Sequence, residues 1–302
     1  MAKNSNLNKA KKTQNDEFYT RYEDIEKELN HYEKHFKNKT VLMNCDDPTW
    51  SNFWKYFHLN FEYLGLKKII STHYEYQQVP SYKMEYEGGN DENYEVGIKT
   101  ILTQNGDFRS PECVKLLKES DIVCTNPPFS IAREYYIPQL FDYHKKFLIV
   151  GDLNWVKYKD VFPLLKDTKM WLGYNWIKEF IQPNGTMKKF GNKLWFTNLD
   201  HLKRHEWIDT PYLFSKKDEL YPNLYTKYDN YDAINVDKVS EIPMDYEGIM
   251  GVPITFMDKH NAEQFEIVGE FNHGSDNEWD LAKPIVNGKE LYPRIAIRKK
   301  QI

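Results

Sequence analysis

The chain has 302 residues, a formal net charge of -4 and a hydrophobic fraction of 40%. That composition supplies a packed core for one large domain, or for a domain with a sizeable appendage. Its apolar runs stay below the roughly 18 residues that are needed to span a bilayer. The slightly acidic balance argues against indiscriminate coating of nucleic acid, although it permits a local basic patch.

Residues 1–14 are polar and lysine-bearing, and they predict a disordered basic tail rather than a secretory signal. The three cysteines, Cys45, Cys113 and Cys124, fit neither a disulfide framework nor a zinc cluster. The nine histidines lack the spacing of metal ligands, so no metal is predicted. A reducing cytoplasm is the simplest location for such a chain, and no membrane partner is predicted.

The hydrophobic pattern predicts strands that alternate with helices over residues 40–166. The predicted strands are 40–44, 68–73, 121–125 and 146–150. The predicted helices are 24–36, 48–64 (with Asp47 as its cap and Pro48 in its first turn), 111–119, 131–143 and 156–166. Residues 81–102 predict a hairpin around Gly88-Gly89-Asn90-Asp91. This order predicts an α/β fold with a mostly parallel sheet and helices on both faces.

After residue 169 the pattern changes to short aromatic strands separated by turns. The predicted strands are 171–174, 179–182, 193–198, 265–271 and a final pair around Asn287-Gly288. The chain is therefore predicted to have a tail at 1–14, an α/β core at 15–168 and a β-rich extension at 169–302. Some strands of the extension would complete the sheet, and others would build a recognition surface.

The segment Thr125-Asn126-Pro127-Pro128-Phe129 directly follows a predicted strand, and ligands of open parallel sheets lie beyond the carboxyl ends of the strands. The two prolines fix the backbone and remove two N–H donors. The side-chain carbonyl of Asn126 and the main-chain carbonyl of Pro127 remain as acceptors. Together they could hold an aromatic amino group and draw its lone pair out of conjugation, toward an electrophilic methyl carbon.

Phe129 offers an aromatic face on which a planar base could stack, which is worth roughly 1–3 kcal/mol. Positioned dipoles would supply most of the catalysis, so no general base with a shifted pKa is required. The segment therefore predicts a methyltransferase that acts on an exocyclic amine. The alternative is that Asn-Pro-Pro only forms a turn that ends the strand.

Six segments occur together along the chain: Asn15-Asp16-Glu17-Phe18-Tyr19-Thr20, Asn44-Cys45-Asp46-Asp47-Pro48, Gly106-Asp107-Phe108, Thr125-Asn126-Pro127-Pro128-Phe129, Gly251-Val252-Pro253-Ile254-Thr255-Phe256 and Arg294-Ile295-Ala296-Ile297. With these segments the chain resembles the EcoRI-type adenine-specific DNA methyltransferases over almost its whole length. The Asn-Pro-Pro-Phe segment is typical of amino-methyltransferases as a class. The Asn-Cys-Asp-Asp-Pro segment is more specific to this family.

The resemblance implies a Rossmann-like, S-adenosylmethionine-dependent methyltransferase sheet in the core and a β-rich C-terminal target-recognition extension. It implies site-specific methyl transfer to N6 of an adenine in double-stranded DNA, as in restriction-modification systems with a separate endonuclease. The target adenine would be flipped out of the duplex, because a stacked base cannot reach the methyl donor. The implied catalytic residues are Asn126, Pro127, Pro128 and Phe129.

The cofactor-binding residues that the resemblance implies are Phe18, Tyr19, Thr20, Asn44, Asp46, Asp47, Asp107, Phe108 and Asn126. The first three would cover the methionine end of S-adenosylmethionine, and Asp46 and Asp47 would lie near its amino-acid or ribose groups. Asp107 would accept from the adenine amino group while Phe108 packs on that ring; otherwise Asp107 is an ordinary turn aspartate.

Two departures from the common methyltransferase pattern concern the cofactor site. The loop 44–48 contains no glycine, whereas many methyltransferases carry a glycine-rich loop after the first strand. The end of the second strand, residues 71–74, lacks the acidic residue that usually binds the ribose hydroxyls, and Glu75 is the nearest candidate. The pair Asp16-Glu17 has a simpler interpretation as a solvated acidic pair that caps the following helix.

Two basic clusters are candidates for contact with DNA, and solvated turns are the alternative explanation for both. The candidate residues are Lys188, Lys189, Asn192, Lys193, Lys203 and Arg204. Two other functions remain open. The same chemistry could act on RNA or on a protein glutamine, or the chain could be a DNA-binding module that has lost catalysis.

Overall fold

A computed structural model describes residues 18–75, 80–89, 96–272 and 283–301 of the chain. The predicted tail, the Asp16-Glu17 pair and the turn residues Asn90 and Asp91 lie outside the described residues. Contacts divide the chain into two compact units. The first contains the described residues up to Asp152 together with Gly173–Asp200, and the second contains Leu153–Leu172 and the residues from 201 onward. The prediction divides the chain once, at 168/169. Each of the two observed units instead combines two separate stretches of the sequence.

The first unit is built on a nine-stranded sheet. Its strands are β1 (Tyr19–Thr20), β2 (Thr40–Met43), β3 (Lys68–Thr72), β4 (Tyr82–Tyr86), β5 (Ile98–Ile101), β6 (Ile122–Thr125), β7 (Lys146–Asp152), β8 (Trp171–Ile181) and β9 (Met187–Thr197). Their order across the sheet is β1-β8-β9-β7-β6-β2-β3-β4-β5. The strands β3, β2, β6 and β7 are parallel to their neighbours in that central block. The pairs β1–β8, β3–β4, β4–β5 and β7–β9 are antiparallel, so the sheet is mixed.

The helices of the first unit are α1 (Tyr22–Leu29), α2 (Asn52–Leu59), α3 (Phe61–Leu64), α4 (Pro111–Glu119), α5 (Phe129–Ile131) and α6 (Ile137–Asp142). A 3-10 turn at Glu33–His35 follows α1, so the predicted helix 24–36 is two shorter pieces. The predicted helix 48–64 is divided at Asn60 into α2 and α3, and the predicted burial of Phe53, Phe57 and Phe61 is confirmed. Each such burial is worth about 1.5–3 kcal/mol.

The predicted helix start at Asp47 and Pro48 is wrong. The cap is Ser51, whose hydroxyl oxygen accepts a hydrogen bond of 3.1 Å from the main-chain N–H of Phe53. The Asp47 carboxylate instead accepts from the N–H of Thr49 at 2.9 Å, in a local turn. The loop after β2 is therefore longer than predicted, and it keeps Asp46 and Asp47 at the carboxyl end of that strand.

The region after Pro127-Pro128 is helical but irregular. The predicted helix 131–143 consists of α5, a π-helical turn at Ala132–Tyr136, and α6. Turns of this kind occur frequently at functional sites. The predicted helix 156–166 is also shorter: a 3-10 turn at Leu153–Lys157 precedes α7 (Phe162–Lys166), which has a proline in its first turn.

The second unit contains a four-stranded sheet in the order β10-β11-β15-β12 and a two-stranded hairpin, β13-β14. These strands are β10 (Ala233–Asn235), β11 (Ile249–Pro253), β12 (Phe265–Phe271), β13 (Ile285–Val286), β14 (Lys289–Glu290) and β15 (Arg294–Lys299). Short helical segments connect them, at Leu202–His205, Phe214–Lys216, α8 (Lys217–Leu220), Val239–Glu241 and Ile254–Lys259. The predicted final pair is confirmed: Asn287 and Gly288 both have positive φ, as a tight hairpin turn of this type requires.

The described ranges contain no helix that is long and apolar enough to cross a membrane. In the same part of the chain, no group of three or more His, Cys, Asp or Glu side chains is placed to hold a metal ion.

Candidate active site

The carboxyl ends of β2, β3 and β6 meet at the buried side chain of Asp46. Its carboxylate accepts from the hydroxyl of Ser51 at 3.0 Å, from the hydroxyl of Thr125, and from the main-chain N–H of Asn126 at 3.3 Å. The main-chain carbonyl of Asp46 accepts from the hydroxyl of Ser71 in β3. Burial raises the pKa of Asp46 to about 6, against the opposing effect of the hydrogen bonds that the carboxylate accepts. These contacts fix the start of the Asn-Pro-Pro-Phe segment.

The side-chain amide of Asn126 has a defined orientation. Its NH2 group donates to the main-chain carbonyl of Phe18, which assigns the other amide atom as oxygen. Among the described residues, nothing donates to that buried oxygen. A buried acceptor without a donor costs about 1–3 kcal/mol, so a ligand that brings an N–H to this position would be stabilised. This geometry suits the predicted role of Asn126 as an acceptor for an amino group.

The two prolines differ in exposure, since Pro127 is buried and Pro128 is exposed. The carbonyl of Pro128 accepts from the N–H groups of Ile131 at 3.2 Å and Ala132 at 3.0 Å. Those bonds commit the carbonyl of Pro128 to the helix that follows. The carbonyl of Pro127 therefore remains the candidate for the second acceptor at this strand end.

Phe129 packs edge-on against Phe180, with ring centroids 6.3 Å apart. The ammonium nitrogen of Lys193 lies 4.0 Å from the centroid of the Phe129 ring and 2.7 Å from the carboxylate of Asp152. One face of Phe129 is thus covered by a cation, and a base stacked on that face has to displace Lys193. The side chain of Asn192 donates to the same carboxylate, at 2.9 and 3.0 Å.

Asn44 lies directly after β2 and is buried. Its side-chain oxygen accepts from the hydroxyl of Tyr136, whereas its side-chain nitrogen has no partner in the part of the chain that the structure describes. Tyr136 was missed by the sequence analysis, because it belongs to the π-helical turn, 92 residues from Asn44. Burial raises the pKa of Tyr136, which therefore stays protonated as a donor. An unused N–H of Asn44 is thus presented at this strand end.

Two further buried hydroxyls lie close to these strand ends. Among the described residues, the hydroxyls of Thr20 in β1 and Thr72 in β3 lack hydrogen-bond partners. The ring of Tyr19 packs against Trp50, with centroids 4.0 Å apart. Buried polar groups in proteins are usually satisfied, so Thr20, Thr72 and Asn44 each offer an atom to which a water or a ligand could bind.

Asp47 is anchored by side chains from β3 and β4. It accepts from Nδ1 of His73 at 2.7 Å, from the hydroxyl of Tyr82 at 2.8 Å, and from Thr49. Burial alone would raise the pKa of Asp47, but the hydrogen bonds outweigh it and lower the pKa to about 2. Glu75, the candidate for the ribose hydroxyls, lies 3.5 Å from Nε2 of His73. The hydrogen bonds of the Asp47 carboxylate are thus made to side chains of the protein. Glu75 lies on the other side of the His73 ring from Asp47 and contacts its second nitrogen.

The segment Gly106-Asp107-Phe108 packs against the end of β3. Gly106 has a φ of +77°, and a Cβ at this position would lie 2.0 Å from the carbonyl oxygen of His73, so only glycine fits. Asp107 pairs with Arg109 at 2.6 Å. This pairing outweighs burial and lowers the pKa of Asp107. Phe108 is buried against the edge of Tyr136, with centroids 5.1 Å apart. The structure therefore brings this segment to the site but engages Asp107 with Arg109, which the sequence analysis did not consider.

The candidate DNA contacts fall into different environments. Lys188 and Lys189 are exposed on β9, with the ammonium of Lys188 lying 4.7 Å from the centroid of the Phe18 ring. Lys189 is one of the residues that line a groove, together with Trp176, Ile177, Lys178, Glu179, Phe190 and Gly191. Lys193 is only 6% exposed and paired with Asp152, so the prediction of a DNA contact is not supported there.

In the second unit, Lys203 pairs with Asp258 at 2.6 Å, and the guanidinium of Arg204 stacks 3.5 Å from the Trp171 ring centroid. Both side chains are partly buried and engaged within that unit. Their use for DNA contact stays a prediction. Lys188 is exposed and lies near Phe18, whereas Lys189 is exposed and lies 3.6 Å from the carboxylate of Glu179.

Comparisons with known proteins identify the family of the chain. A family model described as adenine-specific methyltransferase EcoRI matches residues 6–300. The type II methyltransferase M.EcoRI of Escherichia coli is 45% identical, and the match covers 100% of this chain and 98% of that protein. M.MgeORF184P of Mycoplasma genitalium is 35% identical (98% and 99% covered), and M.MpnI of Mycoplasma pneumoniae is 34% identical (98% and 98%). No solved structure matches the chain significantly. The chain belongs to the EcoRI family of adenine-specific methyltransferases.

Proposed function

We propose that the protein is a site-specific DNA methyltransferase that transfers a methyl group from S-adenosylmethionine to N6 of an adenine flipped out of duplex DNA. Membership of an adenine-specific family, with type II methyltransferases as relatives, supports the reaction and the substrate. The observation that carries the proposal is the buried side-chain oxygen of Asn126, which lacks a donor among the described residues and lies at the end of β6.

In this mechanism the side-chain oxygen of Asn126 and the main-chain oxygen of Pro127 accept hydrogen bonds from the two N–H groups of the adenine amino group. Holding both protons out of the ring plane directs the nitrogen lone pair away from the ring. When bound, S-adenosylmethionine would supply the methyl group to that lone pair and leave as S-adenosylhomocysteine, while the amino nitrogen would release one proton to water. Phe129 offers a stacking surface once Lys193 leaves its face. Catalysis then rests on positioning and on fixed dipoles, as the neutral character of these groups requires.

The strand-end residues fit S-adenosylmethionine as cofactor. Its amino-acid and ribose groups need several hydrogen-bond partners, and Thr20, Asn44 and Thr72 each offer a buried polar atom that lacks a partner among the described residues. Phe18, Tyr19 and Thr20 would line the methionine end, while Phe108 would pack on the adenine ring. The central parallel strands β3-β2-β6-β7 support a Rossmann-like core. On this proposal residues 15–168 bind the cofactor, and 169–302 complete the sheet and recognise the target.

Duplex DNA would be held at the β9 side of the first unit, where Lys188 and Lys189 are exposed. Extruding the adenine costs a few kcal/mol, which contacts in the pocket must offset. Phosphate contacts by the two lysines would position the duplex without specifying sequence. A DNA substrate supports the predicted cytoplasmic location, and the type II relatives support a partner endonuclease that acts separately.

The test is transfer of a labelled methyl group from S-adenosylmethionine to mixed-sequence duplex DNA, with RNA and a glutamine-bearing protein assayed beside it. We expect N6-methyladenine at one short DNA motif. Transfer only to RNA or protein would contradict the substrate. Cofactor binding in calorimetry without any transfer would contradict the reaction, and absence of cofactor binding would favour an inactive DNA-binding module.

A further inference from the structure

Asp46 and Asp47 are adjacent carboxylates, but their contacts lead to different parts of the site. The Asp47 carboxylate has its partners in its own loop and on the β3–β4 side: Thr49, His73 and Tyr82. The Asp46 carboxylate instead contacts the β6 end, through Thr125 and Asn126. The resemblance assigns both residues to the cofactor, and their geometry does not support the same role for both.

Both oxygens of the Asp46 carboxylate are engaged within the protein. Oδ1 accepts from the Ser51 hydroxyl at 3.0 Å, and Oδ2 accepts from the Thr125 hydroxyl and from the N–H of Asn126. The side chain is only 5% exposed, which leaves little surface for a ligand. Ser51 is also the cap of α2, so the carboxylate connects a helix start to the end of β6.

We propose that Asp46 is a positioning residue, which fixes Asn126 through Thr125 and the Asn126 main-chain N–H and does not bind the methyl donor. The proposal rests on the proposed function, since it assigns the support of the amino-group acceptor. Asn126 is held from two sides: Asp46 fixes its main chain, and the carbonyl of Phe18 fixes its side-chain amide. Together these contacts aim the free side-chain oxygen.

Positioning of this kind acts on the rate of methyl transfer rather than on cofactor affinity. A displacement of about 1 Å of a catalytic group can cost on the order of 10²-fold in rate. The charged carboxylate is the form that accepts from both donors at the β6 end. Because burial raises the pKa of Asp46 to about 6, the rate of transfer should fall below about pH 6.

The experiment uses Thr125→Val and Thr125→Ser in the full-length protein. Valine preserves the shape of threonine but removes the hydroxyl that donates to Asp46, whereas serine keeps it. We expect Thr125→Val to lower the single-turnover rate on unmethylated plasmid DNA about tenfold, and Thr125→Ser to stay within about threefold of wild type. Calorimetry should give dissociation constants for S-adenosylmethionine within about threefold of wild type for both variants.

Asp46→Leu and Asp46→Asn complete the test. Leucine approximates the shape of aspartate without any acceptor and should lower the rate by about 10²-fold, again with cofactor affinity retained. Asparagine keeps one acceptor oxygen for the β6 end, so it should recover part of the rate and abolish the loss below pH 6. If Asp46→Leu does not fold, the threonine pair and Asp46→Asn still decide.

Wild-type rates in Thr125→Val and Asp46→Asn, with the acid loss unchanged, would overturn the inference. So would losses that lie wholly in the affinity for S-adenosylmethionine, because these would make Asp46 a cofactor ligand. A failure of the proposed function is recognised separately, since the wild-type protein itself would then transfer no methyl group to DNA.

Discussion

The loops after β6 and β2 are neighbours in the sheet, yet they fix their polar side chains in different ways. After β6, two prolines restrict the main chain, and the side-chain oxygen of Asn126 is left as an acceptor. After β2, the loop is fixed mainly by side chains that are distant in sequence. Tyr136 donates a hydrogen bond to Asn44, and His73 donates one to Asp47.

On the proposed function, we therefore expect the β6 loop to bind the amino group of the substrate and the β2 loop to bind the cofactor. The β6 loop presents acceptors, which suit an amino group that donates protons. The β2 loop presents a donor, the side-chain NH2 of Asn44, which suits an anionic or carbonyl group of a ligand. A glycine-rich loop would offer main-chain N–H groups for the same purpose. On the proposed function, the side-chain NH2 of Asn44, which Tyr136 orients, would take the place of such main-chain donors.

The largest expected effect lies at the β6 loop. Asn126→Ala should lower the methyl-transfer rate by about 10²–10³-fold, because one fixed dipole at the reacting group is removed. Cofactor affinity should change little, because the variant leaves Asn44, Thr20 and Thr72 intact. Single-turnover transfer and calorimetry measure the two quantities, and a fully active variant would remove Asn126 from the mechanism.

The sequence predicts the β6 loop well and the β2 loop poorly, for a physical reason. The position of Asn126 follows from a strand and two prolines that are contiguous in the chain. The partners of Asn44 and Asp47 come from 92 and 26 residues away, and one of them lies in a π-helical turn that no pattern predicts. Lys193 and Lys188 look alike in sequence, and only the contact with Asp152, 41 residues away, explains why Lys193 is buried.

The second effect tests the β2 loop. Asn44→Leu removes the unused N–H while roughly preserving the shape of the side chain, and it should weaken S-adenosylmethionine binding about tenfold, equivalent to about 1.4 kcal/mol. The transfer rate at saturating cofactor should change less than this. Tyr136→Phe is the matched control: it removes only the donor that orients Asn44 and should cost less affinity. Equal losses of rate in Asn44→Leu and Asn126→Ala would remove the distinction between the loops.

A smaller effect is expected for the exposed lysines of β9, Lys188 and Lys189. Lys189→Ala should reduce the slope of log affinity for duplex DNA against log salt by about 0.9, because one phosphate contact is lost. Lys115→Ala, on the exposed face of α4, is the control and should leave that slope unchanged.

Lys193→Met should also leave the slope unchanged but lower the melting temperature, since it breaks the buried pair with Asp152. A slope change in Lys193→Met would restore its role as a DNA contact.

The smallest expected effect concerns the pH dependence of stability at the β2 loop. The pKa of Asp47 is lowered to about 2, so the stability that it contributes is present above the ordinary value of 3.8 and is lost as the pH falls through about 2. The hydrogen bond that Nδ1 of His73 donates to Asp47 raises the pKa of His73, so the contribution of His73 is present below 6.5 and lost as the pH rises through that raised value. Asp47→Asn should therefore flatten the stability profile in both windows relative to wild type. Urea unfolding at a series of pH values measures this, with Asp167→Asn, at an exposed surface pair, as the control. An unchanged profile in Asp47→Asn would show that the charge of Asp47 does not stabilise the loop. The orientation of Asn44 by Tyr136 would then be the one remaining difference between the β2 and β6 loops.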